Sequence, residues 1–347
     1  MMPLPVLQKA AAQMLNYEGS GMSVMEMSHR SKYYDDIING AQDVLRRILN
    51  IPDNYKILFM QGGATMQFSA IPLNLMVTGK ADYAVTGNFA RNAAKEAKKF
   101  GTVQIAATSE ADNFTWIPTQ EQLTLDPTAD YFYFCANNTI FGTEWHYDPQ
   151  TGDVPMVADM SSNILSKPVD VSKYGIIYAG AQKNMGPAGM AVVIIREDLM
   201  GHYRENMPVL LDYKLTADKN SMYNTPPTYS IYMMKLVAEW VEQMGGVEAM
   251  AKLADKRSAM LYDFLDSSSL FKGAAQKASR SRMNVTFRTG DEELDKKFIQ
   301  ESIEAGMTNL KGHRLVGGMR ASIYNAMPVE GVEYLIDFMQ KFEANNK

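Results

Sequence analysis

Between about residue 40 and residue 240, short apolar runs alternate with longer amphipathic stretches. The runs fall at 57–60, 81–85, 103–106, 131–135, 155–158, 176–179 and 191–195. Their length predicts strands. The intervening stretch 90–100 sets Arg91, Lys95, Glu96 and Lys99 at helical spacing, so it predicts a helix with one polar face. Strands alternating with helices imply an α/β fold, here a mostly parallel seven-stranded sheet flanked by helices. Sheets of that kind bind ligands beyond the carboxyl ends of their strands.

The pattern changes near residue 245, where Gly245-Gly246 interrupts a long helical stretch that begins around Ser230. An amphipathic helix over 247–265, a serine cluster, an apolar run at 283–287, a charged helix over 291–305 and a glycine-rich segment at 312–320 follow. This predicts a large domain over residues 1–244 and a smaller α+β domain over 245–347. The first fifteen or so residues are expected beside the smaller one.

Two charged residues stand just past apolar runs. Asp159 follows the run at 155–158, and Lys183 lies in Gly180-Ala181-Gln182-Lys183-Asn184-Met185-Gly186 after the run at 176–179. A lysine in a polar turn is ordinarily a solvated surface residue. An acid at one strand end and a lysine beyond the next instead suit an enzyme that holds pyridoxal 5'-phosphate. The lysine carries that cofactor as a Schiff base, and the acid keeps its ring nitrogen protonated so that the ring accepts electrons. Upstream, Gln61-Gly62-Gly63-Ala64-Thr65 joins the run at 57–60 to an apolar-rich helical stretch. Glycines at such a turn let backbone N–H groups approach a phosphate, and the helix dipole with the Thr65 hydroxyl favours the anion. Pro72 predicts a kink in that helix. The chain has no P-loop lysine and no complete G-x-G-x-x-G, which argues against a nucleotide.

Composition narrows the class. With 347 residues and 46% hydrophobic content, the chain can bury one large core and a second smaller one. The net charge of −5 argues against nucleic acid as a partner. The lone Cys135 rules out an internal disulfide framework and reads as a small hydrophobe in a buried strand. His29, His146, His202 and His313 lie far apart without metal-ligand spacing, so no metal is expected. His146 and His202 are expected to satisfy local hydrogen bonds only. No membrane-length apolar stretch or secretion signal stands out, and a cytoplasmic protein is expected.

These pieces, with Ser28-His29-Arg30, Thr86-Gly87, Asn138-Thr139, Ala181-Gln182-Lys183-Asn184, Asn224-Thr225-Pro226-Pro227-Thr228 and His313 to Arg320, resemble the phosphoserine aminotransferase family. Its members are fold-type-I, class V enzymes dependent on pyridoxal phosphate. The resemblance runs along nearly the whole chain. It implies Lys183 as the Schiff-base lysine and acid/base, Asp159 as partner of the ring nitrogen, and Thr139 as partner of the ring hydroxyl. It also implies Ala64, Thr65 and Gln182 at the cofactor phosphate and Phe89 stacked on the ring. Asn224 and Thr225 reach the phosphate from a second subunit in this family, so a homodimer with shared sites is implied. The chain departs from the family at three places. Relatives often carry tryptophan where this chain has Phe89, and some carry arginine where it has Thr65. Relatives also usually begin with a short strand and an Asn-x-Gly-Pro segment, where this chain has Met1-Met2-Pro3.

The implied substrates are glutamate and 3-phosphohydroxypyruvate, and with them 4-phosphohydroxythreonine of vitamin B6 synthesis. All carry two anionic ends, and arginine binds carboxylate or phosphate bidentately. Arg320 is expected to take the α-carboxylate. His29, Arg30, His313 and Arg314 are expected to form the pole for the distal anion. The alternatives are an alanine–glyoxylate transaminase, a cysteine desulfurase, or a cofactor-fold protein that binds without turnover.

Overall fold

The protein is described from a computed structural model, which covers residues 2–202 and 206–346. The strands are β1 (Tyr55–Gln61), β2 (Lys80–Val85), β3 (Thr102–Thr108), β4 (Phe132–Cys135), β5 (Asn137–Asn138), β6 (Thr143–Glu144), β7 (Met156–Asp159), β8 (Ile176–Gly180), β9 (Met190–Arg196), β10 (Lys272–Gly273), β11 (Asn284–Arg288) and β12 (Met319–Ser322). The helices are α1 (Leu4–Gln13), α2 (Lys32–Ile48), α3 (Gly63–Leu75), α4 (Asn88–Ala97), α5 (Tyr213–Asp218), α6 (Thr228–Gln243), α7 (Gly246–Ser267), α8 (Glu292–Glu304) and α9 (Val329–Asn345).

Seven strands form one sheet in the order β1-β9-β8-β7-β4-β2-β3. All neighbours pair in parallel except where β9 runs antiparallel between β1 and β8. The seven apolar runs of the sequence all fall on these strands. They read as continuous runs because both faces of the sheet are covered. Along β1, Ile57 and Phe59 face one core while Leu58 and Met60 face the other. The same alternation continues on β8 and β9, where Ile177 and Val192 oppose Ile176 and Val193. On the first face α2 and α6 pack through Ile37, Ile38, Val44 and Leu45 against Met233 and Val237. On the second, α4 presents a stripe of Ala90, Ala93, Ala94 and Ala97, whose small side chains let the helix lie close to the sheet.

The α3 helix does not stop at Pro72; it continues to Leu75, with the proline one turn from its end. The break foreseen near residue 245 is a left-handed pair, Gly245 at φ +99° and Gly246 at φ +76°, between α6 and α7. Beyond it, β10, β11 and β12 form an antiparallel sheet covered by α7, α8 and α9. Its core is aromatic, with Phe271, Phe287, Phe298 and Phe342 in edge and tilted contact. The α7 helix serves two cores, with Val247 and Met250 in the first and Leu261 and Leu265 in the third. The α1 helix buries Val6 and Ala10 in the first core against α6, so the N-terminal segment sits largely on the big sheet's side. Only its first described residues, Met2 and Pro3, line a cleft shared with Asn325 and Ala326.

An ion cluster joins the two parts. Glu144 is fully buried and pairs with Arg282 at 3.2 Å and Lys167 at 3.5 Å, and Arg282 also reaches Asp255 at 3.1 Å. Burial alone raises the Glu144 pKa, but Arg282 and Lys167 outweigh it and hold the carboxyl below the usual range. Among the described residues no helix is long and apolar enough to cross a membrane.

Candidate active site

The parallel strands β2, β4, β7 and β8 all end on one edge of the sheet, and the loops there surround a cavity of about 280 Å³. Its walls include Gly63, Ala64, Thr65, Phe89, Asp159, Gln182 and Lys183. Six of the residues singled out from the sequence therefore meet at one place.

The turn from β1 into α3 is made by Gly62 at φ +85° and Gly63 at φ +65°, a conformation that disfavours side chains. It directs the start of α3 at the cavity. First-turn amides of a helix have no intrahelical acceptor, so Ala64 and Thr65 can offer N–H groups, backed by the positive end of the helix dipole. Gly87 caps α4 from an extended conformation. A Cβ there would lie 2.4 Å from Asn138 Oδ1, so glycine is what lets Phe89 approach the loop that carries Thr139.

Asp159 ends β7 and is only 4% exposed. Its Oδ1 accepts from Ser161 N at 2.9 Å and Ser161 Oγ at 2.6 Å. Ser161 Oγ in turn accepts from Gly180 N at 2.9 Å, which ties the end of β7 to the end of β8. Both bonds use Oδ1, so Oδ2 remains for a ligand N–H. Lys183 Nζ donates to Thr139 Oγ1 at 2.7 Å and lies 5.1 Å from the centre of the Phe89 ring. Burial lowers the Lys183 pKa, and the Asp159 charge opposes that shift in part. More of the amine is therefore neutral, and nucleophilic, than in a solvated lysine.

Thr139 is the meeting point of three groups. Besides Lys183 it bonds Ser162 Oγ at 3.0 Å through its hydroxyl, and its carbonyl accepts from Arg320 at 3.2 Å. Arg320 thus reaches the Thr139 loop from β12, one hydrogen-bonded residue away from Lys183. His313 stands near it, and its pKa is lowered by burial, by Arg320 and by Arg314. His313 was expected in the pole for the distal anion, and both arginines beside it lower its affinity for a proton. Arg314 is exposed on the same loop.

Four expected residues are not brought to the cavity within one chain. His29 and Arg30 lie in the loop before α2, where Arg30 N bonds Ser28 Oγ at 3.2 Å. Asn224 and Thr225 are exposed beside a separate cleft that includes Gln61, Val209, Leu210 and Tyr223. His146 and His202 make the local bonds expected of them, to the carbonyls of Arg280 and Asp198 at 3.0 Å.

Sequence reasoning missed Ser161, Ser162 and Asn137, which support Asp159 and Thr139. The signal for Ser161 was available, because a serine two residues after an aspartate commonly bonds it. Cys135 is buried at the end of β4, as expected, but it also borders the cavity. Burial, and next the Asp159 charge, push its thiol pKa far up, so it is not a reactive nucleophile. Among the described residues no cluster of three His, Cys, Asp or Glu side chains could hold a metal ion.

The arrangement fits pyridoxal phosphate. The cavity sets an anion-binding helix start at one end, a buried carboxylate with a free oxygen beside it, an aromatic face, and a depressed amine. Comparison with known proteins points the same way. Residues 1–335 match the family described as Aminotransferase class-V. A phosphoserine aminotransferase of Bacillus cereus is 52% identical over 348 residues, covering 100% of this chain and 97% of that protein. The solved phosphoserine aminotransferase of Bacillus circulans subsp. alkalophilus superposes with a TM-score of 0.98 at 45% identity, covering 100% of this chain and 97% of that one. A phosphoserine aminotransferase from Trichomonas vaginalis, solved with PLP bound, superposes at 0.94 with 39% identity, covering 98% and 97%.

Proposed function

The chain belongs to the class-V aminotransferases, and on that premise we propose that it transfers an amino group between glutamate and 3-phosphohydroxypyruvate to give O-phosphoserine. The cofactor is pyridoxal phosphate. The observation that carries the reading is the meeting of Asp159 and Lys183 in one cavity, with Thr139 bonded to Lys183 and Arg320 bonded to Thr139, in a chain 52% identical to an enzyme named for that reaction.

When bound, the cofactor supplies an electron sink for the pair released as the substrate Cα–H bond breaks. The chain supplies placement and proton handling. Arg320 takes the α-carboxylate, common to both substrates, in a forked hydrogen bond. Lys183 Nζ, held by Thr139 Oγ1, accepts the Cα proton and later returns it. Asp159 holds a proton opposite its buried carboxylate, and the first-turn amides of α3 receive a phosphate. Phe89 covers one face and excludes water from it, without the N–H donor that an indole has. A cysteine desulfurase is disfavoured by the state of Cys135.

The reaction runs in two halves, which gives the direct test. Glutamate alone should convert the cofactor absorbance of the holoenzyme stoichiometrically, and 3-phosphohydroxypyruvate should restore it. Glyoxylate should restore it far more slowly, since it lacks the distal anion. An unchanged spectrum with saturating glutamate would sink the assignment.

The working unit is a homodimer in which His29, Arg30, Asn224 and Thr225 complete the site of the neighbouring copy. Arg30, Asn224 and Thr225 are exposed, His29 is half-buried and none of the four lines its own chain's cavity, which supports this, as does the apolar surface of Val209, Leu210 and Tyr223 beside Asn224. Large and small domains over 1–244 and 245–347 fit the separate third core. A mixing experiment tests the shared site. Lys183→Ala and Arg30→Ala homodimers should each be nearly inactive. Unfolded together and refolded, they should recover about a quarter of wild-type activity, because half the dimers are hybrids with one intact site. Additive residual activity on mixing would mean that each chain builds its own site.

A further inference from the structure

We propose that Asn184 and Asn325 knot together the loops that follow β7, β8 and β12, next to Asp159, Lys183 and Arg320, and thereby set the spacing of the charged groups in the site. The inference rests on the roles of Lys183 and Arg320 given above.

Neither asparagine lines the cavity; both border the separate cleft that includes Met2, Pro3 and Lys183. Asn184, next to Lys183, donates from Nδ2 to Ile164 O at 3.0 Å and accepts at Oδ1 from Asn325 N at 3.0 Å. Asn325 donates from its own Nδ2 to Leu165 O at 2.7 Å. Ile164 and Leu165 lie in the loop after Asp159, with Leu165 in the left-handed region at φ +60°. Asn325 lies in the loop after β12, five residues beyond Arg320. Two asparagines therefore cross-link three loops that reach the site from β7, β8 and β12. Each amide has its nitrogen on a carbonyl, which fixes its orientation. Both residues are nearly sealed, at 5% and 4% exposure, so a lost bond leaves a buried carbonyl or N–H without a partner.

A third residue anchors the knot. Arg257 on α7 is 1% exposed, and among the described residues it has no carboxylate partner. Its NH1 instead donates to Asn325 O at 3.0 Å and Met327 O at 2.5 Å. Burying a guanidinium to hold two backbone carbonyls is costly unless their position matters. Burial also lowers its pKa. The knotted loop continues directly from β12, the strand that carries Arg320 opposite Thr286 of β11. Thr139 links Arg320 and Lys183 directly, bonded by Lys183 through its hydroxyl and by Arg320 through its carbonyl.

Both substrates present an α-carboxylate, so a shifted Arg320 should weaken both to the same degree. Asn325→Ala should raise KM for glutamate and for 3-phosphohydroxypyruvate by about tenfold each, with kcat changed less than about threefold. The cofactor absorbance of the holoenzyme should be unchanged. Asn184→Ala should behave alike, and the double variant should be little worse than the poorer single one, because both act through one knot. Asn184→Asp retains an oxygen for Asn325 N–H and should recover part of the KM loss, which keeps the test open if an alanine variant does not fold. Unchanged KM values with a fall confined to kcat or Tm would overturn the proposal, and so would losses that multiply in the double variant. Lys183→Ala run in parallel separates the two levels. If it is inactive while Asn325→Ala keeps wild-type KM, the knot alone fails. If it retains turnover, the reading of the site fails first.

Discussion

Lys183→Ala should abolish turnover and, in the same variant, the covalent capture of the cofactor. The Nζ of Lys183 is the amine in the cavity, held 2.7 Å from Thr139 Oγ1 and beside the Phe89 face. Among the described residues no other lysine lines that space. Proton transfer by a positioned side chain contributes about 10²–10⁴-fold by itself, and the variant loses it together with the nucleophile. Treatment with borohydride followed by denaturation should leave the cofactor on the wild-type chain and release it from the variant. Noncovalent binding should persist, because the α3 amides and Asp159 are untouched. The fold should also persist, since the buried neighbours Asn184 and Ser161 keep their bonds. A protein that only binds its ligand would lose the covalent signal and keep partner binding. An enzyme loses turnover with it, so the two readings separate in one preparation. An exogenous small amine that restores part of the rate would show that the missing group is the base.

The same residues show what a sequence can and cannot display. The sheet was legible because parallel strands buried on both faces read as uninterrupted apolar runs, as with Phe132 to Cys135 and Ile176 to Ala179. Asp159, Lys183 and the Gly62-Gly63 turn were legible for the same reason, since each follows such a run and the fold brings strand ends to one edge. What stayed hidden depends on pairing across the chain. Asn184 and Asn325 are 141 positions apart, and nothing local marks two asparagines as partners. The downward shift of His313 was also hidden, because burial is its largest cause and Arg320 comes next, and neither effect can be read from the residues around position 313. Pro72, expected to kink α3, falls in its last turn, and the helix runs on to Leu75. A proline in the last turn removes a single intrahelical donor, which tertiary packing of Ile71 and Leu75 can offset. His29, Arg30, Asn224 and Thr225 lie away from the cavity in the single chain. Their place in the site was implied by family resemblance, and no periodicity or spacing could have supplied it.

Asp159→Asn should reduce kcat/KM by about 10²–10³-fold with little change in folding, and it should also move the titration of Lys183. The substitution keeps the size of the side chain. Its oxygen can still accept from Ser161 N and Ser161 Oγ, so the tie between the ends of β7 and β8 survives. What disappears is a buried negative charge. A neutral amide cannot hold a proton on the ring nitrogen of the cofactor, so the electron sink weakens. The second effect follows from the same charge. Burial lowers the Lys183 pKa and Asp159 is the largest influence opposing it, so neutralising Asp159 should lower that pKa further. Capture of the cofactor aldehyde requires the neutral amine, so its rate rises with pH through the lysine pKa. In Asp159→Asn that rise should occur at lower pH than in the wild type, measured on apoenzyme mixed with pyridoxal phosphate. A rise at the same or higher pH would mean that the carboxylate does not act on the lysine. Asp159→Ala is the informative companion, because it removes the acceptor as well as the charge. Ser161 N–H and Oγ–H are then left unpaired in a buried site, and Asp159→Ala should melt below Asp159→Asn by several degrees, roughly the cost of about 1–3 kcal/mol for an unsatisfied buried group. If the two variants melt alike while both lose activity, the role of Asp159 is wholly in its charge and Ser161 is a bystander.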